Sequence, residues 1–262
     1  MKEGILMKVS KTDIDLMKTL LSSKENKLFN SLEILLRKNY KYKVFKSENF
    51  LYAKGDIPVG LVAHVDTVYK DSPEFIFHDA EAKAMWSPMG LGADDRAGIF
   101  AILKLLQIGY RPTVIITKGE EGGGIGAYEL VYMFPKNDDL KFLIQLDRSG
   151  FNDAVFYDCD NKKFEKYITG FNFETDWGTF TDISILAPIW GIAAVNLSVG
   201  YINEHSEIEH WFYDSCYETI EKVGWILDDV AINSIRKFKY IPSKERRKWK
   251  LHADEQQSTK SV

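Results

Sequence analysis

Four short, almost wholly apolar segments constrain this chain most: residues 59–65, 113–117, 142–146 and 193–197. Each has the length of a strand. Each is apolar at successive positions, as strands buried on both faces are. Helical-period segments lie between them. Residues 95–107 place Ile99, Phe100, Ile102, Leu103 and Leu105 on a core-facing side, and residues 125–133 read as another helix. Strands alternating with helices predict an α/β fold: a three-layer α/β/α domain with a mostly parallel central sheet.

The flanking segments fit that frame. Residues 12–38 read as two helices with Ser23 as a cap between them and Glu25 in the first turn of the second. Residues 42–45 and 50–53 are short β-rich pieces, 154–157 an edge strand, and 211–238 a long closing helix. No internal repeat is present. Residues 1–240 are expected to form one domain. Residues 241–262, with the run KERRKWK, read as a solvated, frayed tail, with an acidic partner as the weaker alternative.

Composition removes several classes. The formal net charge of −4 argues against nucleic acid as the main partner, since phosphate binding wants a basic face. Two isolated cysteines, Cys159 and Cys216, leave no CxxC pair for a zinc knuckle and suit a reducing compartment. The first residues do not form a signal peptide and no apolar run is long enough to span a bilayer, so a cytoplasmic protein is expected.

Ligands of α/β sheets bind beyond the carboxyl ends of the strands. Acids and histidines concentrate there: His64 and Asp66 in GLVAHVDTV, Asp94 in GLGADDRAG, Glu120 and Glu121 in VIITKGEEGGG, Asp147 in FLIQLDRSG, and His205 in NLSVGYINEHSEIE. Taken singly, each has an ordinary explanation; Asp94 and Asp95, for example, could cap the following helix. Together, two imidazoles and three carboxylates are enough to hold two zinc ions with one carboxylate shared. A further free carboxylate can take a proton from metal-bound water.

These motifs resemble those of the co-catalytic zinc exopeptidases, which include peptidase T, the glutamate carboxypeptidase-like enzymes and the single-domain zinc aminopeptidases. The resemblance runs from about Gly60 to Glu209, with GADDRAG and the late NxHS pattern especially similar to peptidase T-like proteins. It implies that His64 and Asp147 complete one metal site, that Glu121 and His205 complete the other, and that Asp94 bridges them. It also implies that Asp66 orients His64, and that Glu120 is the general base acting on a metal-bridging water. A cis peptide at Asp94–Asp95 often accompanies the motif. Zinc is the implied metal, with cobalt and manganese as alternatives. The implied activity is that of an aminopeptidase or di- or tripeptidase acting on a peptide substrate. An amidase or deacylase of a modified amino acid is the rival, as is an inactive binding protein on the same fold.

Two-domain relatives insert a dimerisation domain between the aspartate and the late histidine. Here Asp147 and His205 are 58 positions apart, 205 minus 147, so no inserted domain is expected and the oligomeric state stays open. Tyr201 is a candidate oxyanion donor or a packed aromatic. Arg148 is a candidate for a substrate carboxylate or for a structural acid. Asp182 is expected to cap a helix, and Glu209 to lie a helical turn from His205 or on the surface. His78, His210 and His252 match no motif.

Overall fold

The computed structural model describes residues 9–233 and 235–243. In chain order the elements are α1 (Lys11–Leu21), α2 (Glu25–Lys38), β1 (Lys43–Lys46), β2 (Phe50–Lys54) and β3 (Ile57–His64). Next come β4 (Phe77–Asp79), β5 (Ala84–Trp86), α3 (Ala93–Gln107), β6 (Pro112–Thr117), α4 (Ile125–Met133), β7 (Phe142–Arg148) and β8 (Asp153–Val155). Then follow α5 (Lys162–Thr169), β9 (Glu174–Asp176), α6 (Ile183–Trp190), β10 (Ala194–Ser198), β11 (Tyr201–Ile202), β12 (His210–Phe212) and α7 (Tyr213–Ile232).

The main sheet runs β1-β2-β6-β3-β7-β10-β8-β9. Its four central strands, β6, β3, β7 and β10, are mutually parallel, and these are the four apolar segments. Side chains alternate between the two faces with the period of a strand. Leu61, Val114 and Ile144 join the core under α1, α3 and α7, while Val62, Ile115 and Leu143 join the core under α4 and α6. The three-layer arrangement follows directly. A smaller antiparallel sheet, β11-β12-β5-β4, sits beside it.

Every residue of α3 from Ala93 to Leu106 is buried, so this helix is the centre of its layer. It comes so close to β7 that a Cβ on Gly98 would lie 2.0 Å from the Leu146 carbonyl oxygen. Only glycine permits that approach, and the approach sets the start of α3 beside Asp147. The Asp94–Asp95 peptide is cis, as the motif implies.

α1 is tied to α3 by a buried ion pair, Lys104 Nζ to Asp13 Oδ1 at 2.6 Å. Burial alone would raise the Asp13 carboxyl, but Lys104 and the Ser10 donors outweigh it and hold the pKa at about 2. The folded value lies below the ordinary one. The contribution to stability is therefore present above pH 3.8 and lost as pH falls toward 2. Asp13→Asn is expected to lower the urea midpoint at pH 6, and the gap from wild type should close on acidification. A gap that stays constant down to pH 2 would contradict this.

Several local expectations are corrected. Ser23 does not cap α2; its hydroxyl donates to Thr19 O at 2.6 Å, and Lys24 occupies the N-cap with no side-chain acceptor. β8 is not at the sheet edge, because β9 pairs with it in parallel. The closing helix is shorter than expected: residues 211–212 belong to β12 and α7 ends at Ile232. Both cysteines are buried and free. The tail lies outside the described residues from position 244 on, as does His252. No helix among the described residues is long and apolar enough to cross a membrane.

Candidate metal centre

The parallel strands deliver their carboxyl ends to one edge of the sheet. His64 is the last residue of β3, Glu120 and Glu121 lie in the loop after β6, Asp147 is near the end of β7, and His205 follows β10 and β11. Asp94 and Asp95 stand at the start of α3 with non-helical backbone angles. The structure thus brings all six implied ligand and base residues together, with Asp66 beside them.

Two trios share one member. His64, Asp94 and Asp147 present ligand atoms within 4.8 Å of one another, and so do Asp94, Glu121 and His205. In the first trio, His64 Nε2 is 3.3 Å from Asp94 Oδ1 and 3.4 Å from Asp147 Oδ1. In the second, His205 Nε2 is 3.1 Å from Asp94 Oδ2 and 2.9 Å from Glu121 Oε1. Tetrahedral bonds of about 2.0–2.1 Å set neighbouring ligand atoms about 3.3–3.4 Å apart, so these spacings fit zinc to within a few tenths of an ångström. The two oxygens of Asp94 face different trios, as a bridging carboxylate requires. Asp94 Oδ1 is buried and accepts no hydrogen bond. Glu120 belongs to neither trio, and its Oε2 stands 3.9 Å from His64 Nε2.

The charge balance points the same way. Burial, reinforced by neighbouring carboxylates, pushes Glu120 up to about 9, Glu121 to about 7 and Asp147 to about 6. Asp94 is also desolvated, but His205 and His64 hold it well below the usual carboxylate range. His205 rises to about 9, chiefly through Asp94. Two imidazoles face more negative charge than they can balance, and divalent cations would supply the difference.

Supporting contacts fix these groups. Asp66 Oδ1 lies 3.4 Å from His64 Nδ1, the backbone oxygen of Asp66 is 3.1 Å from the same nitrogen, and Asp66 Oδ2 accepts from Glu121 N at 3.1 Å. One aspartate therefore steadies a member of each trio. Asp95 accepts from Gly98 N and His64 N, at 2.9 and 3.1 Å, and so caps α3 while holding β3. Asp94 caps nothing. Thr181 and Gln145 both donate to Asp147 Oδ2, at 2.8 and 3.0 Å, and Asn196 Oδ1 accepts from Asp147 N at 2.9 Å. Sequence reasoning missed these three. The signal was there for two of them, since Gln145 and Asn196 are polar residues set inside the apolar runs FLIQL and AAVNL.

Of four other expectations, those for Glu209 and Asp182 resolve differently, while Tyr201 and Arg148 each take the structural one of their two alternatives. Glu209 neither orients His205 nor lies on the surface. It is fully buried and accepts from the backbone N–H groups of Leu91, Gly92 and Asp94 at 3.2, 2.7 and 3.0 Å, clamping the loop that carries Asp94. Asp182 sits at the N-cap of α6 but makes no capping bond; its carboxylate accepts from the Thr117 hydroxyl instead. Tyr201 is buried and donates to Asp147 Oδ1 at 3.1 Å, so its hydroxyl serves a ligand rather than open space. Arg148 pairs with Asp176, while its Nε has no hydrogen-bond partner. His78 and His210 pack in the small sheet against Tyr213 and Trp86.

Removing the Glu209 clamp tests the support. Glu209→Ala is expected to weaken metal binding by about 10–100-fold, the usual cost of losing an outer support, in a chelator competition assay. Undiminished affinity would mean that the loop holds its own shape.

No family model and no curated protein matches the chain. Its three-dimensional form is nevertheless similar to that of several solved structures. A tripeptidase from Staphylococcus aureus aligns with a TM-score of 0.67 at 16% identity, over 84% of this chain and 98% of that one. The aminopeptidase PepT from Bacillus cereus aligns at 0.64 and 15%, over 84% and 98%. An aminopeptidase from the archaeon Desulfurococcus kamchatkensis aligns at 0.63 and 15%, over 86% and 96%. At such identities the likeness is one of fold: the chain has the three-layer α/β/α architecture of these proteins.

Proposed function

We propose that the chain is a metal-dependent hydrolase of peptide bonds, an aminopeptidase or a di- or tripeptidase, holding two divalent cations, zinc by default. The observation that carries this reading is the shared Asp94, with one oxygen toward each trio, beside a glutamate that ligates neither. The tripeptidase and aminopeptidase fold supports it. Bound cations would supply Lewis acidity, making a water more acidic and polarising the scissile carbonyl.

This chain's residues do the rest. His64, Asp94 and Asp147 hold one cation, and Asp94, Glu121 and His205 the other. Asp66 fixes the His64 ring. Glu120 accepts the proton of the attacking water and returns it to the departing amine. The centre opens into a cavity of about 340 Å3 lined by Arg148, Tyr157, Thr179, Phe180 and Tyr201, a size that suits a short peptide. Arg148, held by Asp176, forms part of the cavity wall, and Tyr201 steadies Asp147.

The test is metal content measured beside hydrolysis of short peptides with free and blocked ends, before and after chelation. Two metal ions per chain and chelator-sensitive cleavage are expected. Cleavage of amidated as well as free-acid peptides would mark an aminopeptidase that ignores the carboxyl end. Failure to cleave any peptide, with the metals bound, would sink the peptidase reading and favour an amidase.

A further inference from the structure

A second cavity, about 480 Å3 in volume, lies away from the hydrolytic cleft between the α1–α2 junction, the 67–73 loop and the start of α3. None of the metal-ligand residues lines it. Its walls carry four cationic side chains, Lys24, Lys27, Lys70 and Arg96, against two acidic ones, Glu25 and Asp71. Glu25 is in turn 3.4 Å from Lys118.

Two independent features of this cavity ask for an anion. The first is Arg96, which is 4% exposed and lines the wall. Its one hydrogen bond among the described residues runs from Nη1 to Leu20 O at a long 3.3 Å, and its Nε has no partner. A buried guanidinium without a carboxylate in bonding range is costly unless something else meets it. The second is the N-terminus of α2, a helix of 14 residues. Lys24 at its N-cap has no side-chain acceptor, and the backbone N–H groups of Glu25, Asn26 and Lys27 find none among the described residues. Unsatisfied N–H groups and the positive end of the helix dipole form an anion-binding arrangement. α1, by contrast, satisfies its own end through the Ser10 capping box.

We propose that this cavity is an oxyanion site that takes the phosphate group of a small ligand. Two cationic charges in excess of the acids suit a dianion better than a single carboxylate. The Arg96 guanidinium and the helix N–H groups are both donors suited to phosphate oxygens. The volume exceeds what one phosphate fills, which leaves room for the body of a phosphomonoester. The site does not depend on the peptidase reading.

Calorimetric titration of inorganic phosphate into the full-length, metal-loaded chain tests it, with the Lys24→Glu/Lys27→Glu double variant and Arg96→Met alongside. The hydrolytic centre could also bind phosphate, and the double variant separates the two, because Lys24 and Lys27 are exposed and belong neither to the lining of the hydrolytic cavity nor to either trio. Wild type should bind phosphate at a site whose Kd rises at least tenfold, about 1.4 kcal/mol, in the double variant, with metal content and hydrolysis unchanged. Should Arg96→Met fail to fold, the double variant still decides. Phenyl phosphate binding more tightly than inorganic phosphate would identify an ester as the ligand, and the reverse order the free ion. Equal phosphate affinity in wild type and double variant, or no binding to either, would overturn the proposal.

Discussion

Replacing Glu120 by alanine is expected to cut peptide hydrolysis by about 100- to 10,000-fold while both metal ions stay bound, because general acid–base groups contribute on that scale. The geometry separates the two effects. Glu120 is in neither ligand trio, whereas its neighbour Glu121 is 2.9 Å from His205 and belongs to one. Two adjacent glutamates thus stand differently toward the trios. Glu120→Gln should be nearly as damaging, since the amide keeps the shape but cannot accept the proton. Turnover within a few-fold of wild type in either variant, with normal metal content, would remove Glu120 from the reaction.

The second large effect is expected at Asp94. Every other ligand serves one trio, so losing it leaves the other trio whole. Asp94 serves both, and its removal leaves two ligands on each side. Asp94→Ala is therefore expected to strip both metals and abolish hydrolysis, whereas Asp147→Ala and His205→Ala should each spare one site more than the other. The fold should survive, because the Asp94 carboxylate meets the two imidazoles and the neighbouring Asp147 carboxylate but caps no helix, and Asp94 is held through its backbone N–H by Glu209. Elemental analysis alongside circular dichroism would check this. A folded Asp94→Ala protein that keeps two metals per chain would show that the bridge is not needed.

The sequence made much of this centre legible because two of its candidate ligands, His64 and Asp147, stand at the ends of strands that are themselves conspicuous. A histidine closing the apolar run before Val65, or an aspartate closing FLIQL, stands out against its surroundings. What stayed hidden depends on contacts between distant segments. Glu209 was expected near a neighbour in sequence; instead the chain turns after His205 into β12, and the carboxylate meets a loop more than a hundred residues earlier. β9 escaped because Glu174, Thr175 and Asp176 are all exposed and polar, so pairing with β8 alone makes them a strand. Trp211 and Phe212 were absorbed into a helix because an apolar pair next to a helical run carries no sign of where the helix begins. The Lys24 end of α2 is deceptive for the opposite reason: Ser23 stands beside it, but its hydroxyl bonds back to Thr19 O.

The order in which the ligands occur along the chain has a consequence for biosynthesis. His64, Asp94 and Asp147 complete the first trio at position 147, but the second waits 58 residues more for His205, 205 minus 147, and the clamp on the Asp94 loop waits for Glu209. A ribosome-bound intermediate therefore lacks the paired centre however well its early strands have folded. The paired centre therefore forms only after β10, the last parallel strand of the main sheet, has been made and the segment beyond it has docked.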